Sequence, residues 1–139
     1  MASILLAAHV IAGILFVGPV ALTTSLFPRF AEGGGHAVAT ALHSFTRVYG
    51  ALALSVPVVG LLLAGVQSRL GEFWIVAAMV LTAIAGGLLA LRIVPLQREA
   101  LDHPASPGEF RSMRLLTGLF NLIWAMVVVM MVVRPGATS

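Results

Sequence analysis

The sequence predicts an all-α fold: a bundle of four transmembrane helices with both termini outside, forming a single domain over residues 1–139. Three observations predict it. First, 60% of the residues are hydrophobic and 9% are charged, with a mean hydropathy of +1.06. A soluble domain is about one quarter charged, so this chain has too little polar surface to clothe a water-facing globule. Second, the apolar residues fall into four blocks, each near the ~20 residues that a helix needs to cross a bilayer. Third, arginine is distributed unevenly between the two sets of loops, as positive-inside sorting requires.

The first span runs roughly from Ala2 to Phe27 and is closed by Pro28-Arg29. It lacks the basic lead and small-x-small cleavage site of a signal peptide, so it is expected to stay as a helix. Gly33-Gly34-Gly35 is a break, and His36 to His43 reads as a helical lead-in to span two, roughly Phe45 to Val66. Gln67 to Glu72 is a tight hairpin. Span three runs roughly from Phe73 to Val94, with Trp74 as an interfacial anchor and Pro95 as its stop. Leu96 to Arg114 is the longest polar segment, where Pro104 and Pro107 are expected to end helix three. Within it, Ser106-Pro107-Gly108-Glu109 is a Ser-x-x-Glu capping box with proline at the first helical position. Helix four should therefore start in water, before span four, roughly Leu115 to Val133, which Arg134-Pro135-Gly136 closes.

Inside the spans, Pro19 and Pro57 each remove a helical N–H and free the carbonyl one turn earlier, that of Leu15 and of Ala53. Gly60-x-x-x-Ala64 and Ala83-x-x-x-Gly87 are small-residue faces suited to close helix packing or to a partner.

Composition also excludes chemistry. There is no cysteine, hence no disulfide, thiolate metal site or thiol nucleophile. All eight basic residues are arginine, which removes Schiff-base and P-loop lysine chemistry. The arginines are scattered among apolar spans, which is no nucleic-acid footprint. No catalytic motif and no metal-ligand cluster stands out.

His9 is the leading candidate residue. It lies about 10 Å into helix one by the helix rise, and an ionisable group at that depth is a functional hypothesis by default. Its imidazole can ligate haem iron or pass a proton; alternatively it hydrogen-bonds a backbone carbonyl. Its face continues through Gly13, Val20 and Thr24, where Gly13 would admit a flat cofactor or a neighbouring helix. Met79 on helix three and Met126 on helix four reach a similar height as candidate second ligands of a haem. Arg47 is the second candidate. With Asn121 and Thr117 on helix four and Thr23 and Thr24 on helix one, it would line a polar pocket for an anionic group. The alternative is that Arg47 snorkels to lipid headgroups. His36 and His43 are too far apart along one helix to hold one metal ion, and His103 beside Asp102 reads as a solvated loop residue. Trp124, near mid-membrane, suggests that its face of helix four looks inward.

Leu6-Ala-Ala-His9-Val-Ile-Ala-Gly13 resembles the opening of small bacterial four-helix membrane proteins of unknown function. These are loosely grouped with copper-resistance D-like membrane domains and with the haem-binding membrane protoporphyrinogen oxidase family. Leu26-Phe-Pro-Arg29-Phe30 is similar to the oxidase family's Pro-Arg helix ending, and the close of the chain, Phe110-Arg111-Ser-Met-Arg114 through Val-Val-Arg134-Pro135, is more similar to the unknown-function group. The resemblance implies that His9 is the helix-one histidine, an axial haem ligand in the oxidase relatives. Those relatives also carry a lysine on the third helix, a position that this lysine-free chain does not fill.

The function expected from these readings is a non-enzymatic accessory or binding subunit of the bacterial inner membrane, with b-type haem at His9. Its partners would be the lipid bilayer and either further copies of itself, as a homo-oligomer, or a larger membrane complex. The alternatives are a haem-dependent membrane oxidoreductase and an oligomeric small-molecule or ion transporter. Orientation rests on Arg29, Arg47, Arg92, Arg98, Arg111 and Arg114 on one side against Arg69 and Arg134 on the other. That asymmetry puts both long loops in the cytoplasm. Reporter fusions after Arg69 and at Ser139 are expected to be active outside, and one at His103 inside; the reverse pattern at all three would invert the topology.

Overall fold

Hydrocarbon offers no hydrogen-bond partner, so each apolar stretch must satisfy its own backbone. The computed structural model does this with four helices and, among the described residues, no strand. It describes residues 2–103 and 105–135; Met1, Pro104 and the segment from Gly136 to Ser139 lie outside them, including the expected helix stop at Pro104. The helices are α1 (Ser3–Glu32), α2 (His36–Val66), α3 (Phe73–Asp102) and α4 (Pro107–Val133), with lengths of 30, 31, 30 and 27 residues. At a rise of ~1.5 Å per residue each exceeds the ~30 Å hydrocarbon core. Their ends therefore project into the interface, and the chain is a multi-pass membrane protein. One end of the bundle holds the start of α1, the end of α4 and the 67–72 hairpin. The other holds the 33–35 break and the 103–106 loop, and is called the arginine-rich end below.

α1 and α3 run further than the sequence suggests. Pro28 lies inside α1, which continues to Glu32, and Pro95 does not stop α3, which continues to Asp102. A proline within a helix lacks an N–H and presses on the carbonyl four residues back. In three helices the backbone deforms at that carbonyl. α1 widens into a π turn over Gly13–Val17, around Leu15, just before Pro19. α3 does the same over Leu89–Ile93, around Leu91, just before Pro95. π turns of this kind are how a helix absorbs a misfit without ending. α2 instead breaks into a turn at Ala53 and Leu54. There Val56 N–H reaches the Ala53 carbonyl at 3.1 Å, replacing the donor that Pro57 lacks. α4, with no interior proline, runs straight through.

These deformations divide the bundle. Towards the arginine-rich end the helices close a ring, α1 against α2 and α4, and α3 against α2 and α4. Phe27, Ala39, Phe110 and Met113 form the core there, and Val20, Ala85, Leu89, Ile93, Phe120 and Ile123 form it nearer the middle. Towards the hairpin end α1 leans on α2, and α3 on α4; the two pairs meet near the hairpin, where Ala64 packs on Trp74 and Ile75. Trp74 is therefore a buried core residue rather than a lipid-facing anchor. Its indole N–H donates to Glu72 Oε2 at 2.9 Å, and the Arg134 guanidinium lies 5.2 Å from the ring centroid.

The α4 cap forms as the sequence predicts. Ser106 Oγ accepts from the Glu109 N–H at 3.2 Å, with Pro107 in the first turn. Ser106→Ala should cost about 1 kcal/mol locally. Amide exchange should quicken at Gly108 and Glu109 while Phe120 and Ile123 stay protected; unchanged exchange at the first turn would show that the hydroxyl does not cap it.

Candidate functional site

Of residues 3–19, His9 alone is buried. Its position comes from two features of α2. Gly60 has no side chain, and the imidazole lies in the space that one would occupy: a Cβ on Gly60 would stand 2.8 Å from His9 Cε1 and 3.2 Å from Nδ1. Four residues earlier, the Val56 carbonyl lies 3.0 Å from His9 Nδ1. A carbonyl only accepts, so Nδ1 carries the hydrogen and donates. In the neutral ring this leaves Nε2 with a lone pair, and no described residue hydrogen-bonds to it. One turn further along the same face of α1, Gly13 borders open space. The Gly60–Ala64 face is thus used inside the chain, by His9 and by the hairpin-end core, whereas Ala83 is exposed and Gly87 borders open space.

The two methionines do not join His9. Met126 is 48% exposed and faces the surroundings. Met79 packs instead with Met130 and Met131 against Ala64, Trp74 and Ile75. Among the described residues no group of three or more His, Asp or Glu side chains is placed to hold a metal ion.

A second polar cluster lies between α1 and α4, towards the arginine-rich end. Pro28 frees the Thr24 carbonyl, and Thr117 Oγ1 donates to it from α4 at 3.5 Å. Thr24 itself turns its hydroxyl back to the Val20 carbonyl at 2.8 Å. Asn121 Nδ2 donates to Ser25 Oγ at 3.0 Å, while Asn121 Oδ1 and the nearby Trp124 Nε1 are buried without partners. Ser25, Pro28, Arg114, Thr117, Gly118 and Asn121 line a cleft of about 190 Å³. Arg114 at its edge pairs with Glu32 at 2.9 Å. Thr23 faces the other way, its Oγ1 2.8 Å from that of Thr46 on α2.

The expected polar pocket is therefore only half assembled. Asn121 and Thr24 come together, but Arg47 stands apart, exposed in a groove formed with Ser44, Val48, Ala51 and Leu52 of its own helix. His43, which shares a stripe with Arg47 in sequence, is buried, and its Nδ1 lies 2.9 Å from Gln97 Oε1. Gln97 lies past Pro95, the expected close of span three, in the segment read only as polar, so nothing singled it out. Ser25 and Arg114 were legible only as neighbours in height of residues already chosen.

Comparison with protein-family models, with curated proteins and with solved structures finds no match to this chain. Arguments about function thus rest on the site itself.

The His9 contact makes a direct test. Gly60→Ala forces the imidazole off α2 and should destabilise the protein by about 1–3 kcal/mol, as overpacking does. Gly13→Ala meets open space and should change little. Melting temperatures in detergent check both; equal melting of wild type and Gly60→Ala would mean that the ring does not rest there.

Proposed function

We propose that this chain is a non-enzymatic binding subunit of the bacterial inner membrane, with both termini outside, and that its ligand is b-type haem held through His9. One observation carries the reading: Nδ1–H of His9 is anchored on the Val56 carbonyl, which leaves the Nε2 lone pair without a partner among the described residues, and one turn along the same helix Gly13 borders open space. Histidines that bind metals commonly donate their other ring N–H to a carbonyl, which fixes tautomer and orientation. The Leu6–Gly13 opening resembles small membrane proteins of unknown function that are loosely grouped with a haem-binding family, which points the same way.

The fit extends to one axial ligand. Met126 faces outward and Met79 packs elsewhere, so neither supplies a second. His9 would hold the group, and haem so held would supply redox or small-molecule-binding chemistry. In this reading the chain's own work is limited: α2 orients the imidazole, Gly13 admits the flat ring system, and the surrounding apolar side chains exclude water.

Protein expressed with ample haem and purified in detergent should show a Soret band of the five-coordinate type. His9→Ala should abolish it, and Gly13→Leu, which fills the adjoining space, should weaken it. Met79→Leu and Met126→Leu should leave it unchanged. Colourless protein that takes up no added haem would overturn the cofactor assignment, and a Soret band surviving in His9→Ala would move it to another residue.

A further inference from the structure

The groove around Arg47 has a use that neither the fold nor His9 explains. Ser44, Arg47, Val48, Ala51 and Leu52 share one exposed face of α2 and line a shallow, open groove along it. The far end of the groove meets the turn at Ala53 and Leu54, where α2 breaks. Among the described residues neither Ser44 nor Arg47 makes a side-chain hydrogen bond or ion pair, and no carboxylate lines the groove.

A cation and a hydroxyl therefore sit at the arginine-rich end of the groove, and an apolar strip runs from them towards mid-membrane. That is the outline of an amphiphile with an anionic head. Arg92 strengthens the charge. The contacts of Gly50 with Leu89 and of His43 with Gln97 bracket Arg47 and Arg92, so the two lie at one height on adjoining helices. Both are exposed, and neither has an acidic partner among the described residues. Towards mid-membrane this face offers only apolar contacts, with Leu52 and Leu54 exposed to the surroundings.

We propose that this groove is a binding site for an anionic glycerophospholipid of the leaflet at the arginine-rich end. The guanidinium of Arg47 donates two N–H bonds to the lipid phosphate, the geometry that arginine favours. Ser44 donates a third, and one acyl chain lies along Val48, Ala51 and Leu52. A zwitterionic lipid gains less, because its ammonium group meets no carboxylate in the groove. The site differs from diffuse attraction to a charged surface in resting on particular residues.

Native mass spectrometry of the detergent-purified chain can compare phosphatidylglycerol with phosphatidylcholine of identical acyl chains. One arginine near an anionic lipid surface is worth roughly a fivefold change in binding, so phosphatidylglycerol should be preferred by about that factor or more. Arg47→Gln should remove about fivefold of its occupancy, and Arg47→Lys should restore part. Val48→Trp keeps the charge but fills the groove, and should lower occupancy by both lipids. Arg111→Gln, on the first turns of α4, should change nothing. Unaltered melting of each variant shows that the fold persists. Equal binding of the two lipids, no loss in Arg47→Gln, or an equal loss in Arg111→Gln would overturn the proposal, the last by showing that only net charge matters.

Discussion

The first half of α1 depends on one polar contact, the His9 imidazole resting on Gly60 and donating to the Val56 carbonyl. Lipid is as apolar as leucine, so apolar helix faces gain little by meeting each other rather than acyl chains. What holds helices together in a bilayer is close packing and interhelical hydrogen bonds of about 0.6–2 kcal/mol each. Here both act at the same residue. Gly60 allows the close approach, Val56 takes the hydrogen bond, and no other side chain between residues 3 and 19 is buried. The same contact sets the ring's tautomer, so the structural role and the proposed binding role of His9 arise together. A ring that only spanned two helices would do the first; the lone pair left on Nε2 allows the second.

Proline shapes the rest. The carbonyls at risk are those of Leu15, Thr24, Ala53 and Leu91, each four residues before a proline. The chain treats them differently. Two are absorbed in π turns, one is capped by Val56 N–H, and that of Thr24 receives the Thr117 hydroxyl from α4. The last case joins α1 to α4 where the bundle closes its ring. Nearer the hairpin end α1 pairs with α2 alone, which keeps the space at Gly13 open. Asn121 Oδ1 and Trp124 Nε1 are an exception to this economy, buried with no partner one turn apart on α4.

Much of this was legible in the sequence, and the reasons are local. The four spans follow from apolar block length, and the α4 start from the Ser106–Glu109 box, because both depend on nearest neighbours along the chain. The carbonyls of Leu15 and Ala53 could be named from Pro19 and Pro57 alone. The failures concern what prolines do in a membrane helix. Pro28 and Pro95 look like stops by the rules for soluble helices, yet a π turn or a threonine from another helix lets the chain continue. Gln97 lies beyond the apolar span, in the segment read only as polar, and this hid it as the partner of His43. Side-chain direction was the other gap. Arg47, Asn121 and Thr24 reach compatible heights, but rotation about each helix, which height does not determine, sends Arg47 outward. Met126 fails for the same reason.

The central claim is that His9 is anchored through Nδ1 and keeps its lone pair on Nε2. Nitrogen-15 NMR of histidine-labelled protein, assigned by comparison with His9→Asn, reads this directly without added haem. The account predicts that the hydrogen of His9 sits on Nδ1, with a through-hydrogen-bond coupling or close contact to the Val56 carbonyl carbon, and that Nε2 shows the shift of an unprotonated ring nitrogen. A His9 ring protonated on Nε2 and bare at Nδ1 would contradict both the clasp on α2 and the binding role built on it.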